Sequence, residues 1–377
     1  MLLWQKKGAI PECRVAIAGD FLPASGLQLP QGRTWTDIAN GFASYFSNVD
    51  AAILNLECCL GAESRKPRPK LGLGDSFSAS PDVLAFPRTL GTRIVGLANN
   101  HAYDYGEEGV TQTKETILES NLLPLGTGRT LCEKPDVHVA ETKSGPRIGF
   151  WSAARHLVDL AARKSPGIEP ATRKRGEDAL NELKSRGASL AIAFLHAGLE
   201  HTNRPDPDDV VLMDDFAKMG FDIVTACHSH RISGYKCLPQ RHSHPAFCFY
   251  GLGSISSGVL YSELEREGLV VVVGIDASSN IVNVEVLPVH LEQSGWGCVP
   301  DVAVGRAILN RFVQLSEEIA QGVYRQRFYQ DVRTDLWQKQ FRDFKAAIRN
   351  GGIRGLASKL VRIRTRHLHR VFHPGLD

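Results

Sequence analysis

The sequence contains no apolar run long enough to matter to a membrane. No window approaches the ~20 apolar residues that a helix needs to cross a bilayer, and the opening MLLWQKKGAIPECRVAIAGD lacks the apolar stretch of a secretory leader. The expectation is a cytoplasmic protein with no transmembrane segment, one that can still lie at the periphery of a membrane. Net charge is also scarce: 44 basic against 41 acidic side chains leave +3. That is too mild for a chain that tracks phosphate backbones, so nucleic acid is not expected as a partner. The eight cysteines form no CxxC and keep no regular spacing. This excludes a zinc ribbon or a disulfide-stapled module, and several of them sit inside apolar runs where thiols pack as small hydrophobes. A reducing compartment follows. No internal repeat is visible, so a solenoid is excluded.

What is present suits a large soluble domain. The chain has 377 residues, 43% of them hydrophobic and 23% charged, enough for one big core carrying an appendage. Apolar runs of strand length recur at 14–19, 51–57, 92–98, 147–151, 190–195, 221–226 and 247–250, as continuous as strands buried on both faces. Helical patterns fall between them at 36–48, 106–120, 172–186 and 207–219. Alternation of this kind predicts a layered α/β domain. Segments 269–275 and 281–289 flank the turn residues Asp276–Asn280 and read as an antiparallel hairpin, which makes the sheet mixed. The Pro- and Gly-rich stretch 62–80 reads as an exposed loop, either a connector or a cover for a site. From Asp301 the pattern turns helical and polar. Stretch 353–372 interleaves apolar residues with Arg354, Lys359, Arg362, Arg364, Arg366 and Arg370, as a solvated helical face or a surface for anionic membrane or a partner would. The expected organisation is a tail over 1–13, a core domain over 14–292 and a helical extension over 293–377.

Chemistry-bearing side chains gather where strands end, the edge at which ligands collect in open α/β sheets. Val15-Ala-Ile-Ala-Gly-Asp20 places a carboxylate after a turn glycine, a pattern that simple turns share. Ile53-Leu-Asn-Leu-Glu57 breaks an apolar run with a carboxylate that must be paired or metal-bound to stay charged. Gly96-Leu-Ala-Asn-Asn-His-Ala-Tyr-Asp104 packs two amides, an imidazole and a carboxylate together, more than a helix cap requires. Leu195-His196 ends another strand with an imidazole, and His228-Ser-His230 offers two that an extended backbone points the same way. Each has a plain structural explanation alone. Five at successive strand ends are hard to explain so.

The run Gly19-Asp20, Asn55-Leu56-Glu57, Ala98-Asn99-Asn100-His101-Ala102-x-Asp104-x-Gly106, His196-x-Gly198-x-Glu200 and His228-x-His230, closed by Tyr250-Gly-Leu-Gly253, resembles the CapA family of capsule and poly-γ-glutamate synthesis. The resemblance spans roughly Arg14 to Val289. It implies a four-layer αββα fold like that of the calcineurin-like metallophosphoesterases, two facing mixed sheets flanked by helices, here with a C-terminal helical extension. It also implies a site for one or two divalent ions (Mn, Fe, Zn or Co). Carried over residue by residue, Asp20 and His230 hold one ion, Glu57 bridges, and Asn100, His196 and His228 complete the second. His101 serves as general acid or transition-state stabiliser, its tautomer fixed by Asp104.

Three departures stand out. Leu22 occupies the place where the wider phosphoesterase pattern has His, and Glu57 stands where that pattern has a bridging Asp, which together leave one ion or two open. Ala226-Cys-His-Ser-His replaces the family's Gly-His-His-Pro-His, so Cys227 is either a soft ligand or packing. The implied reaction is hydrolysis by in-line attack of an activated water at phosphorus, on a small-molecule or polymer substrate bearing phosphate or carboxylate. Two rivals stand beside it: a non-catalytic assembly factor for a membrane-bound synthase, and a metal-dependent γ-glutamyl amide hydrolase. His201, His242 and His244 lie near the motifs without an assigned role, and Arg155 is a weaker anion-binding candidate.

Overall fold

The computed structural model describes residues 1–24, 27–62, 64–68, 75–155, 159–162, 165–239 and 244–334. The basic stretch 353–372, His156 and His242 lie outside them. Two mixed sheets carry the fold. The larger has nine strands and runs in the order Leu2–Gln5, Ile281–Leu291, Glu267–Ile275, Cys13–Leu22, Ala51–Leu56, Ile94–Gly96, Leu123–Leu125, with Ser254–Ser257 and Gly297–Cys298 paired off that path. The smaller has six, in the order Tyr235–Leu238, Ala246–Phe249, Ile223–His228, Leu190–Ala197, Arg147–Ala154, Val137–Glu141. The larger is antiparallel from Leu2–Gln5 as far as Cys13–Leu22 and parallel from there to Leu123–Leu125, and the smaller is parallel in the middle and antiparallel at both edges.

The continuous apolar runs form strands because both faces are covered. Side chains alternate along a strand, so Val15, Ile17 and Ile53 of the larger sheet meet Ile148, Phe150, Ile192, Phe194 and Ile223 of the smaller in one apolar layer between the sheets. The alternate residues Ala16, Ala18, Ala52 and Leu54 face outward against Trp35, Ile38, Phe42 and Phe86. Behind the smaller sheet, Trp151 packs edge-on to Phe216 of helix Pro207–Met219, their ring centroids 5.4 Å apart, and stacks on Phe221. Helix, sheet, sheet and helix are thus the four layers.

Helix ends follow local chemistry. Thr34 caps Trp35–Asn40 in a reciprocal capping box with Asp37, and Thr172 caps Arg173–Ser185. The single helix expected over 36–48 is broken at Gly41 into Trp35–Asn40 and Ala43–Phe46. At the start, Leu2–Gln5 pairs antiparallel with Ile281–Leu291, so these tail residues add an edge strand to the larger sheet. One compact unit runs from Met1 to Ala320. It includes helix Val302–Ala320, whose Ile308, Phe312 and Leu315 join the layer between the sheets, with Phe312 stacked on Tyr235 at 5.5 Å. Residues 321–377 form a second unit, in which 324–334 are helical. No helix among the described residues is long and apolar enough to cross a membrane.

Candidate metal centre

Parallel strands of both sheets deliver their carboxyl ends to one place. Asp20 lies near the end of Cys13–Leu22, and Glu57 follows Ala51–Leu56 directly. Asn100 and His101 come after Ile94–Gly96, His196 sits near the end of Leu190–Ala197, and His228 ends Ile223–His228. Backbone contact sets the depth of the first strand. A Cβ on Gly19 would lie 2.0 Å from the Gly253 carbonyl oxygen, which accepts from the Asp20 N–H at 3.0 Å. Gly253 itself stands at φ +64, where glycine carries no steric cost.

Five of the six expected ligands fall in overlapping groups whose donor atoms lie within 4.8 Å of one another: Asp20 with Glu57 and His230, Glu57 with His196 and His228, and Asp20 with His196 and Cys227. Asn100 joins them through its Oδ1, 2.8 Å from His196 Nε2. His230 Nδ1 stands 3.3 Å from Asp20 Oδ2, and His196 Nε2 stands 3.5 Å from Glu57 Oε1. The rings of His196 and His228 are 4.4 Å apart. The backbone is strained where it presents the imidazoles, since His228 and His230 adopt φ 111 and 54. Such conformations cost about 1–3 kcal/mol each and persist where the surroundings enforce them.

Electrostatics single out Glu57. It is fully buried, and among the described residues neither carboxylate oxygen has a hydrogen-bond partner. Burial, and then the charge of Asp20, push its carboxyl well above the ordinary range. Burial also pushes Asp20 upward, but the contact with His230 and the charge of His196 outweigh it and hold that carboxyl low. Burial pulls His196 and His228 down. It pulls His230 down too, but Glu57 and Asp20 more than offset this and hold that imidazole at about 10. A buried carboxyl group with no hydrogen-bond partner among the described residues thus stands beside two imidazoles, His196 and His228, whose charged form burial disfavours. Together they leave donors for a divalent cation, whose charge would take the place of the proton on His230, so the residues fit one.

Three neighbours were not singled out by the sequence reading. Asn55 donates to Asp20 Oδ1 at 2.8 Å, and Asn99 donates to Asn55 Oδ1 at 2.9 Å and to the Leu56 carbonyl at 2.8 Å. Both stand inside the motifs already quoted, one residue from Leu56 or Asn100, and only their inward direction was invisible. Glu200 lies close to His228 and His230, whose charges outweigh its burial and hold its carboxyl low. Cys227 donates to the Leu195 carbonyl, and burial, then Asp20, raise its thiol well above the usual range, so in this arrangement it packs as a thiol. Leu22 is buried in the apolar layer under the helices and offers no donor.

His101 stands beside the group rather than in it. Its Nδ1 is 2.8 Å from Asp104 Oδ2, its ring lies 4.3 Å from that of Phe77, and its N–H donates to Asn99 Oδ1. Asp104 Oδ2 also accepts from the Phe77 N–H at 2.7 Å. The imidazole is therefore held on two sides and only 7% exposed. Arg155 is paired with Asp209 at 2.9 Å and donates to the Asp208 carbonyl, a structural role.

A family model described as "Bacterial capsule synthesis protein PGA_cap" matches residues 14–258. Capsule biosynthesis protein CapA of Bacillus anthracis is 24% identical over 246 residues, covering 64% of this chain and 58% of that protein. A probable polyglutamine synthesis accessory protein of Mycobacterium tuberculosis is 24% identical over 269 residues, covering 65% and 67%. This chain thus spans a little over half the length of the first relative. Among solved structures, the NAD nucleotidase of Haemophilus influenzae aligns with TM-score 0.45 at 11% identity over 79% of this chain and 55% of that one. The calcineurin-like phosphoesterase YfkN of Bacillus subtilis aligns with TM-score 0.42 at 11% identity over 82% and 98%.

Proposed function

From the premise that this chain belongs to the bacterial capsule synthesis protein PGA_cap family, we propose that it is a metal-dependent hydrolase of phosphoesterase type serving the assembly of capsule or poly-γ-glutamate. The observation that carries the reading is Glu57, fully buried with both oxygens unclaimed amid Asp20, His196, His228 and His230. Asp20, Glu57, Asn100, His196, His228 and His230 would hold one or two divalent ions. When bound, such ions supply positive charge that activates water and offsets charge building on phosphoryl oxygens.

The chain's own residues do the rest. Asn55 and Asn99 hold Asp20 and the backbone after Leu56 in place. Asp104 accepts from His101 Nδ1, which leaves Nε2 to carry and release a proton to the leaving oxygen. Phe77 keeps water from the ring. The name of the Mycobacterium relative, an accessory protein, supports a second reading in which the chain assists a membrane-bound synthase without turnover.

Turnover of bis(p-nitrophenyl) phosphate and p-nitrophenyl phosphate with Mn separates the two. The hydrolase reading expects His101→Ala to keep Mn affinity and lose about 10²-fold or more in kcat. Tight Mn binding without turnover of either ester, or of γ-glutamyl peptides, would favour the accessory reading.

A further inference from the structure

Beside the carboxylate and imidazole cluster stands another imidazole held by a buried carboxylate. His201 Nδ1 lies 3.0 Å from Glu265 Oε1, and the Glu265 side chain is only 1% exposed. Glu265 also accepts from the Tyr261 N–H at 2.5 Å and from Arg231 Nη2 at 3.2 Å. Burial pushes this carboxyl up, but these contacts, led by His201, hold it at about 2. Glu265 is therefore ionised, and the hydrogen in its bond to His201 sits on Nδ1. Nε2 is left as the outer end of the ring. Its neighbour Glu200 Oε2 is 3.9 Å away, too far for a hydrogen bond.

The backbone fixes the ring as firmly as the carboxylate does. The His201 N–H donates to the carbonyl of Ser229, the residue between His228 and His230, and His201 is held at φ 65. Its ring centroid lies 6.4 Å from that of His230 and 5.0 Å from that of Tyr261, which it meets edge to face. Tyr261 is 67% exposed, so the pair borders solvent rather than the core. A buried, fully engaged carboxylate aiming a ring that is 27% exposed from a strained backbone belongs to neither apolar layer. It does present one nitrogen in a fixed place at the edge of the cluster.

We propose that His201, carrying a hydrogen on each ring nitrogen, donates its Nε2–H to a phosphoryl oxygen of the substrate while Nδ1–H is held by Glu265, the positioning residue that fixes the ring, with Tyr261 as the wall beside the ester group. This rests on the phosphoesterase reading of the site. The arriving oxygen takes the place beside Nε2 that Glu200 now borders at 3.9 Å, its side chain 45% exposed.

The test uses the full chain loaded with Mn, with inorganic phosphate and the two nitrophenyl esters as probes, for wild type, His201→Gln and Glu265→Gln. Mn affinity stays within about three-fold of wild type in both variants. Phosphate affinity falls about ten-fold in His201→Gln, the scale of one charge-assisted hydrogen bond, and KM rises with it while kcat holds within about three-fold. Glu265→Gln shifts phosphate affinity and KM the same way by less. Should Glu265→Gln fail to fold, the substitution at His201, whose side chain is partly exposed, decides alone. Loss of Mn binding in His201→Gln makes it a ligand and overturns the proposal, as do unchanged phosphate affinity and KM, or a Mn-loaded wild type that binds no phosphate. A wild type that binds phosphate but cleaves neither ester removes the hydrolase reading, and the phosphate affinities still decide the role of His201.

Discussion

At the scale of the residue, Glu57 sets the terms. Burial and the charge of Asp20 raise its carboxyl well above the ordinary carboxylate range in the folded protein, so the native state holds its proton to higher pH than the unfolded chain does. The metal-free fold therefore loses stability as pH rises from the ordinary carboxylate range towards the raised value. Glu57→Gln removes that slope. Thermal melts of the metal-free protein across pH should show the variant more stable than wild type at neutral pH, with a shallower fall above the ordinary carboxylate range. Addition of Mn should raise the wild-type midpoint and leave the variant unmoved. An equal Mn response in both would exclude Glu57 from the ligands. His101 depends on its neighbour in a different way. Asp104→Asn keeps the shape but no longer demands the proton on Nδ1, so kcat should fall while KM and Mn affinity hold, as steady-state kinetics with calorimetry would show.

At the scale of the element, the position of the Cys13–Leu22 strand relies on an approach that permits no side chain. Gly19→Ala would drive a Cβ into the Gly253 carbonyl. The cost should be about 1–3 kcal/mol in denaturant unfolding, with weaker Mn binding because Asp20 is the next residue. Periodicity in the sequence located these elements well, since buried strands read as continuous apolar runs: 51–57 became Ala51–Leu56, and helix 207–219 matched Pro207–Met219. The hairpin was legible through its turn residues. Two kinds of feature were not. Gly41 stops a helix that the apolar pattern would carry through, because a hydrophobic stripe does not register a break between two short helices. Leu2–Gln5 pairs through backbone groups that any four residues possess. The clustering of chemistry at strand ends was readable, as were the positions of Asp20, Glu57, Asn100 and the imidazoles in it. The amides Asn55 and Asn99 were not, because which way a polar side chain turns at a strand end depends on register.

At the scale of the whole molecule, helix Val302–Ala320 belongs to the compact unit ending at Ala320. Phe312→Ala should cost about 3–5 kcal/mol of stability in denaturant unfolding, with Mn affinity unchanged because Phe312 packs away from the donors. A drop in Mn affinity would show that the helix also braces the centre. The origin of the donors has a wider consequence. Asp20, Glu57 and Asn100 come from the larger sheet, His196, His228 and His230 from the smaller. A cation gripped by both works as a rivet through two leaves that meet mainly through a greasy layer, whose contacts resist separation but tolerate sliding. Loading the ion should accordingly slow amide exchange in Ala51–Leu56 and Ile223–His228 together, and chelation should release both at once, so that the chemistry and the stiffness of the sandwich rise and fall as one property.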